Sequence, residues 1–268
     1  MEILELLKIS IFQRALIASL FAGGFISLLG NVIVMFNITT IRFALMHFGL
    51  LGGAIGLALG ANPLTFALFA IALGSLLFGP LSDKFKVDTG LIGAFFMTGS
   101  MALAFLIFYR TGVPALDVFG LFTGSILTLT RLDLYFVMIL SIIILLVFIV
   151  FYREIQLIFY DPEQAQWLGV PVKRLRNALL FLTGLSVGVA MKVVGALLID
   201  SMILLPAMAA AGLAKNFKQM LILTSVFGII SSTGGLLFSM VYDSPTGVTI
   251  TLIGVLLLMT SLLIKRKF

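Results

Sequence analysis

Residues 134–152 read LYFVMILSIIILLVFIVFY, nineteen consecutive positions without a charge, bounded by Asp133 and Arg153. An α-helix needs about 20 apolar residues to cross the hydrocarbon of a bilayer, so this stretch reads as a membrane span. Working outward, similar stretches occupy 15–41, 43–82, 89–109, 219–242 and 244–264. The second is too long for one span. It carries the turn signal Gly60-Ala61-Asn62-Pro63 and divides there into two. Residues 177–214 are apolar but interrupted by Lys192 and Asp200, and read as a hairpin turning near Met191-Lys192-Val193-Val194-Gly195. Residues 112–130 hold Pro114, Asp117, Gly120 and Gly124 between Arg110 and Arg131. They read as a short helix or a re-entrant element, which survives at membrane depth only where protein or water satisfies its backbone.

The expected fold is therefore all-α: a polytopic helical membrane protein with about nine spans (8–10), residues 1–268 forming one transmembrane domain. Composition agrees. The chain is 61% hydrophobic and 10% charged, with a mean hydropathy of +1.24, whereas soluble domains carry roughly a quarter charged residues. A soluble enzyme, a disordered chain and a coiled coil are excluded. There is no cysteine, so neither disulfides nor thiolate metal sites arise. Residues 1–8 do not read as a cleavable signal peptide.

The net charge of +6 is a matter of topology, not of nucleic-acid binding. The segments holding Arg42, Lys84 and Lys86, Arg153 to Arg176, Lys215 and Lys218, and Lys265-Arg266-Lys267 contain 12 of the 17 Lys and Arg residues. Cytoplasmic loops are enriched in such cations, which places these segments and the C-terminus inside a cell (inner) membrane.

The longest polar stretch begins Asp161-Pro162-Glu163-Gln164-Ala165-Gln166-Trp167-Leu168-Gly169. Asp161 suits a helix N-cap, Pro162 the first helical position, and Glu163 the positive end of the dipole. Gly169 suits the position just past the end. A short cytoplasmic helix follows, with the single Trp on it. It is either an interfacial anchor with Trp167 among headgroups or a docking element for a cytoplasmic partner.

His47 is the sole histidine. At about 100° per residue, Phe43, Leu50, Leu51 and Ala54 share its helix face, while Gly49, Gly52, Gly53, Gly56 and Gly60 gather opposite, where a neighbouring helix approaches closely. His47 then either faces a pore or hydrogen-bonds between helices. Asp200 is the second candidate, since an intramembrane carboxylate costs about 2.5–3.5 kcal/mol and must be offset. It is either a cation ligand or the partner of Lys192. Imidazole and carboxylate together suit zinc and tolerate manganese or iron. Met46, Met191, Met202 and Met208 read as packing.

Four stretches resemble the permease subunits of ATP-binding-cassette importers for divalent metals, the zinc and manganese uptake systems. They are His47-Phe48-Gly49-Leu50-Leu51-Gly52-Gly53-Ala54, Asp161-Pro162-Glu163 through Leu168-Gly169-Val170, Val194-Gly195-Ala196-Leu197-Leu198 through Leu204-Leu205-Pro206-Ala207, and Tyr242-Asp243-Ser244-Pro245-Thr246-Gly247. The resemblance implies a homodimeric permease domain with cytoplasmic ATP-binding subunits docked at the helix of Asp161, Pro162, Glu163, Trp167, Leu168 and Gly169. It also implies an extracytoplasmic metal-binding protein, no permanently bound cofactor, and a divalent metal ion as cargo. It further implies an Asp four residues before the histidine. Here that position is Phe43, so the expectation is that Asp200 supplies the missing carboxylate and joins His47 as a metal contact.

No G-x-x-x-x-G-K-[ST] phosphate loop is present, so the chain is not expected to be an enzyme and ATP hydrolysis falls to a partner. The alternative is a secondary, ion-coupled transporter using the intramembrane carboxylate. A membrane enzyme would need a cluster of polar groups at one depth, which one His and one Asp do not make.

Overall fold

The structure is a computed structural model and describes residues 9–87, 89–112, 126–194 and 199–265. Among these the regular elements are all helical. In chain order they are α1 (Ser10–Phe25), a 3₁₀ turn (Ile26–Leu28), α2 (Leu29–Met35), α3 (Thr39–Ala58), α4 (Pro63–Phe85) and α5 (Thr89–Thr111). A second 3₁₀ turn (Ile126–Thr128) precedes α6 (Arg131–Val150), α7 (Tyr152–Tyr160), α8 (Pro162–Trp167) and α9 (Val172–Val194). The chain ends with α10 (Ile199–Leu213), α11 (Phe217–Tyr242) and α12 (Thr246–Lys265). Among the described residues, seven helical segments are long and apolar enough to cross a membrane, and α10 is a shorter apolar helix. The protein is a multi-pass membrane protein. The expected re-entrant element at 112–130 lies largely outside the described residues.

Local chemistry sets most helix ends. After α3, Gly60 takes φ +63°, Gly60 N–H bonds to the Leu57 carbonyl (3.1 Å), and Ala61 N–H to the Gly56 carbonyl (2.9 Å). That pair of bonds closes the helix, and glycine is the residue that adopts the left-handed conformation without strain. Asn62 then caps α4, its Oδ1 accepting from the backbone N–H groups of Leu64 (3.0 Å) and Thr65 (3.3 Å), with Pro63 first in the helix. The expected turn at 60–63 is formed by these contacts. A capping box starts α6: Thr130 Oγ1 accepts from Asp133 N–H (3.3 Å) and Asp133 Oδ2 accepts from Thr130 N–H (2.9 Å).

Charge is a poorer guide to the ends. The span expected at 15–41 runs instead from Ser10 to Met35. Arg14 lies inside α1 and satisfies its guanidinium on the carbonyls of Ser10 (3.1 Å) and Leu129 (3.2 Å). Arg42 lies inside α3, 2% exposed, its guanidinium 4.4 Å from the centre of the Phe43 ring. The hairpin turn expected near 191–195 lies partly outside the described residues. α9 continues through Lys192 to Val194, and α10 resumes at Ile199.

The described helices fall into two compact units. One comprises Met1–Val34, Gly124–Phe151 and Ala190–Phe268. In it α1 crosses α11 at near backbone contact: a Cβ on Gly228 would stand 1.9 Å from the Gly23 carbonyl oxygen. Hydroxyls zip the same seam. Ser232 donates to the Ser19 carbonyl (2.8 Å), Ser225 to that of Gly24 (2.6 Å), and Thr224 to Asn31 Oδ1 (3.0 Å). Between apolar helices in lipid, such small residues and interhelical hydrogen bonds supply the association that water would otherwise drive.

The other unit comprises Met35–Thr123 and Tyr152–Val189. α3 is its centre. Leu50 and Ala54 bury against Ala104 and Phe108 of α5. The rings of Phe48, Phe78 and Phe96 join α3, α4 and α5 at centroid separations of 5.4–5.9 Å.

Candidate functional site

The capped segment at 161–169 is built as its residues dictate. Asp161 Oδ1 accepts from Gln164 N–H at 2.9 Å, Pro162 opens α8, and Glu163 lies in its first turn. Gly169 takes φ +83°, with Gly169 N–H on the Gln166 carbonyl (3.0 Å) and Val170 N–H on the Ala165 carbonyl (3.0 Å). The helix is thereby closed at both ends within six residues. Ala165 is buried, whereas Trp167 is 90% and Leu168 66% exposed. Both are large apolar side chains held outward at the C-terminal end of a doubly capped turn.

α7 precedes this helix and is strongly amphipathic. Ile155 and Ile158 point inward, and Phe159 packs edge-on against Phe36 with ring centroids 4.9 Å apart. A Cβ on Gly93 of α5 would stand 3.2 Å from the Ile41 backbone nitrogen of α3, and Arg176 at the start of α9 pairs with Asp83 near the end of α4 at 2.6 Å.

His47 lies two turns into α3 and is half-buried. Its Nδ1 is 2.7 Å from the Phe43 carbonyl oxygen. A carbonyl only accepts, so Nδ1 carries the proton and donates it. With Nδ1 so engaged, Nε2 is the ring atom through which a neutral imidazole would ligate a metal. Of the residues expected on the His47 face, Leu50, Leu51 and Ala54 pack toward α5, while Phe43 is 41% exposed.

On the other side of α3, Gly52 and Gly56 lie against α4, a Cβ on Gly52 standing 2.3 Å from the Phe66 carbonyl oxygen. Gly49 and Gly53 are also buried. Gly60 is a correction. Nothing lies within 4 Å of a Cβ built there, so it serves the turn and not helix packing.

Asp200 is half-buried in the first turn of α10. By sequence it reads as an intramembrane carboxylate near the turn that follows Lys192. At a helix start the macrodipole favours the carboxylate, by up to about 2 kcal/mol in partly buried geometries. His47 belongs to one compact unit and Asp200 to the other. Among the described residues no three His, Asp or Glu side chains converge to hold a metal ion. Met46, Met191 and Met202 are buried in packing.

Sequence reading missed the Asp83–Arg176 pair, whose members are 93 residues apart, and the Thr130–Asp133 capping box, which the T-x-x-D spacing would have revealed.

Comparison with known proteins accords with this arrangement. The ABC 3 transport family matches residues 8–265. A manganese transport system membrane protein of Halalkalibacterium halodurans is 30% identical, the match covering 93% of this chain and 85% of that one. A high-affinity zinc uptake system membrane protein of Haemophilus influenzae is 28% identical, over 89% of this chain and 92% of that one. Among solved structures, PsaBC from Streptococcus pneumoniae in complex with Fab superimposes with a TM-score of 0.80 at 25% identity, covering 96% of this chain and 92% of that one.

Proposed function

The chain belongs to the ABC 3 transport family, and from that membership we propose that it is the membrane-spanning permease subunit of an ATP-driven importer of a divalent metal ion. The observation that carries this reading is α8, a six-residue helix capped by Asp161 and Gly169 that holds Trp167 and Leu168 outward. A docking surface of that kind suits a chain with no phosphate loop of its own. Cytoplasmic ATP-binding subunits grip α8, an extracytoplasmic binding protein delivers the ion, and a second copy of the chain completes the permease in the cell membrane.

The cargo is a zinc or manganese ion, with iron chemically admissible, and it passes as substrate. His47 Nε2 contacts it in transit. A single imidazole completed by waters holds such an ion weakly, as conduction requires. Asp200 is proposed separately as a second cargo contact, its carboxylate poised at the start of α10. The manganese and zinc names of the two relatives support the divalent class. Imidazole and carboxylate favour zinc over softer ions.

The test is uptake of radiolabelled Zn²⁺ and Mn²⁺ into liposomes holding the chain with its ATPase and binding protein. Uptake is expected only with internal ATP hydrolysis and only with all components present. Uphill accumulation by the chain alone would overturn the proposal.

A further inference from the structure

We propose that the ion pair between Asp83 and Arg176 is a positioning contact that keys the docking segment to the helix pair carrying His47, so that ATPase movement reaches the transport path. This rests on the reading of α8 as the ATPase contact.

The argument starts at α8. Its last turn is followed at once by Gly169, Val170 and Pro171, with Val172 N–H bonded to the Val170 carbonyl (2.8 Å) and Leu175 N–H to that of Pro171 (3.0 Å). Nothing in this connection is slack, so a displacement of α8 displaces the start of α9. Arg176 sits there, its Nη2 2.6 Å from Asp83 Oδ1 with both side chains about a quarter exposed (28% and 26%). A charge-assisted contact in that partly screened setting is directional and stronger than a surface pair.

From the pair inward, α9 and α4 run antiparallel at near backbone contact. A Cβ on Gly79 would stand 2.1 Å from Asn177 Oδ1, one on Gly184 2.2 Å from Ser75 Cβ, and one on Gly188 2.9 Å from Leu68 Cδ2. Helices that close pass a displacement from one to the other, because packed interiors do not compress. α4 in turn meets α3 at Gly52 and Gly56, and α3 carries His47.

The docking end of this interface also holds unsatisfied polar atoms. Arg176 Nε and Asn177 Oδ1 are buried without a hydrogen-bond partner among the described residues. Buried polar groups in a permanent contact are almost always paired. A contact that leaves two of them open suits one that is remade as α9 shifts. Coupling through packed elements requires such a two-state junction, since adjacency alone transmits nothing.

The test uses the whole transporter, this chain with its ATPase and binding protein, in liposomes loaded with ATP. Asp83→Asn and Arg176→Gln are expected to keep the ATPase bound and hydrolysing while metal ions moved per ATP fall about tenfold, within the usual range of coupling between sites. The charge-reversed double variant, Asp83→Arg with Arg176→Asp, is expected to regain most of the ratio. Where a neutral variant fails to assemble, Asp83→Glu and Arg176→Lys keep the charges while altering the contact length, and a partial loss of the ratio is expected. An unchanged ratio in the assembled single variants overturns the proposal. So does a double variant no better than the singles, or a loss of uptake matched by loss of bound ATPase. A wild-type complex that takes up metal without consuming ATP overturns the docking reading itself, which separates the two failures.

Discussion

His47 Nδ1 is hydrogen-bonded to the backbone carbonyl of Phe43, one turn earlier on the same helix, at 2.7 Å. Phe43 thus orients the histidine through its main chain while its own side chain contributes no ligand. The bond fixes the ring, and a one-turn neighbour is where a second ligand would sit if the sequence supplied one.

His47→Ala is therefore expected to reduce uptake of Zn²⁺ and Mn²⁺ at least tenfold, a loss equivalent to about 1.4 kcal/mol, with ATP hydrolysis retained. Initial uptake rates in reconstituted liposomes measure this. Wild-type rates in the variant would remove His47 from the transport path.

Phe43→Asp places a carboxylate beside the imidazole without disturbing the main-chain bond. The apparent KM for the metal is expected to fall by about tenfold, with slower release lowering the maximal rate, because a tighter site holds its ion longer. The comparison to make is KM against maximal rate. An unchanged KM would mean that the open side of α3 at Phe43 does not meet the ion.

Asp200→Asn keeps the size and polarity of the helix start and removes the charge. Uptake is expected to drop severalfold while stability changes by no more than about 2 kcal/mol, the upper worth of a charge at a partly buried helix end. Loss of stability with uptake per folded molecule intact would assign the residue to the helix alone.

Asp161→Ala removes the N-cap of α8, a loss of about 1 kcal/mol, and Trp167→Ala removes the largest exposed apolar side chain near it. Both are expected to reduce the ATPase retained on affinity purification, Trp167→Ala more strongly, with the permease still monodisperse in detergent. Full retention of the ATPase in Trp167→Ala would place the docking contact elsewhere.

Two glycines separate packing from backbone freedom. Gly228→Ala drives a methyl into the Gly23 carbonyl at 1.9 Å and is expected to destabilise by about 1–3 kcal/mol. Gly60→Ala meets nothing within 4 Å and should lose only the about 1–2 kcal/mol of a left-handed backbone. Melting temperatures in one detergent rank them, and the reverse order would refute the close crossing of α1 and α11.

By itself the sequence determined that this chain is a helical membrane protein, where α4 and α8 begin, and that the 161–169 segment is a closed helix. Hydrophobic length, Asn62, Asp161, Gly60 and Gly169 act on neighbours within a turn, so their effect is written locally. It misplaced the first span because a charge inside a helix does not end it when, as with Arg14, backbone carbonyls receive the guanidinium. Only the tertiary structure decided that Asp83 meets Arg176, that Leu50 and Ala54 turn to α5, and that Asp200 stands at a helix start. Contacts between residues far apart in sequence depend on how whole helices pack, and helical periodicity assigns faces without saying which neighbour covers each.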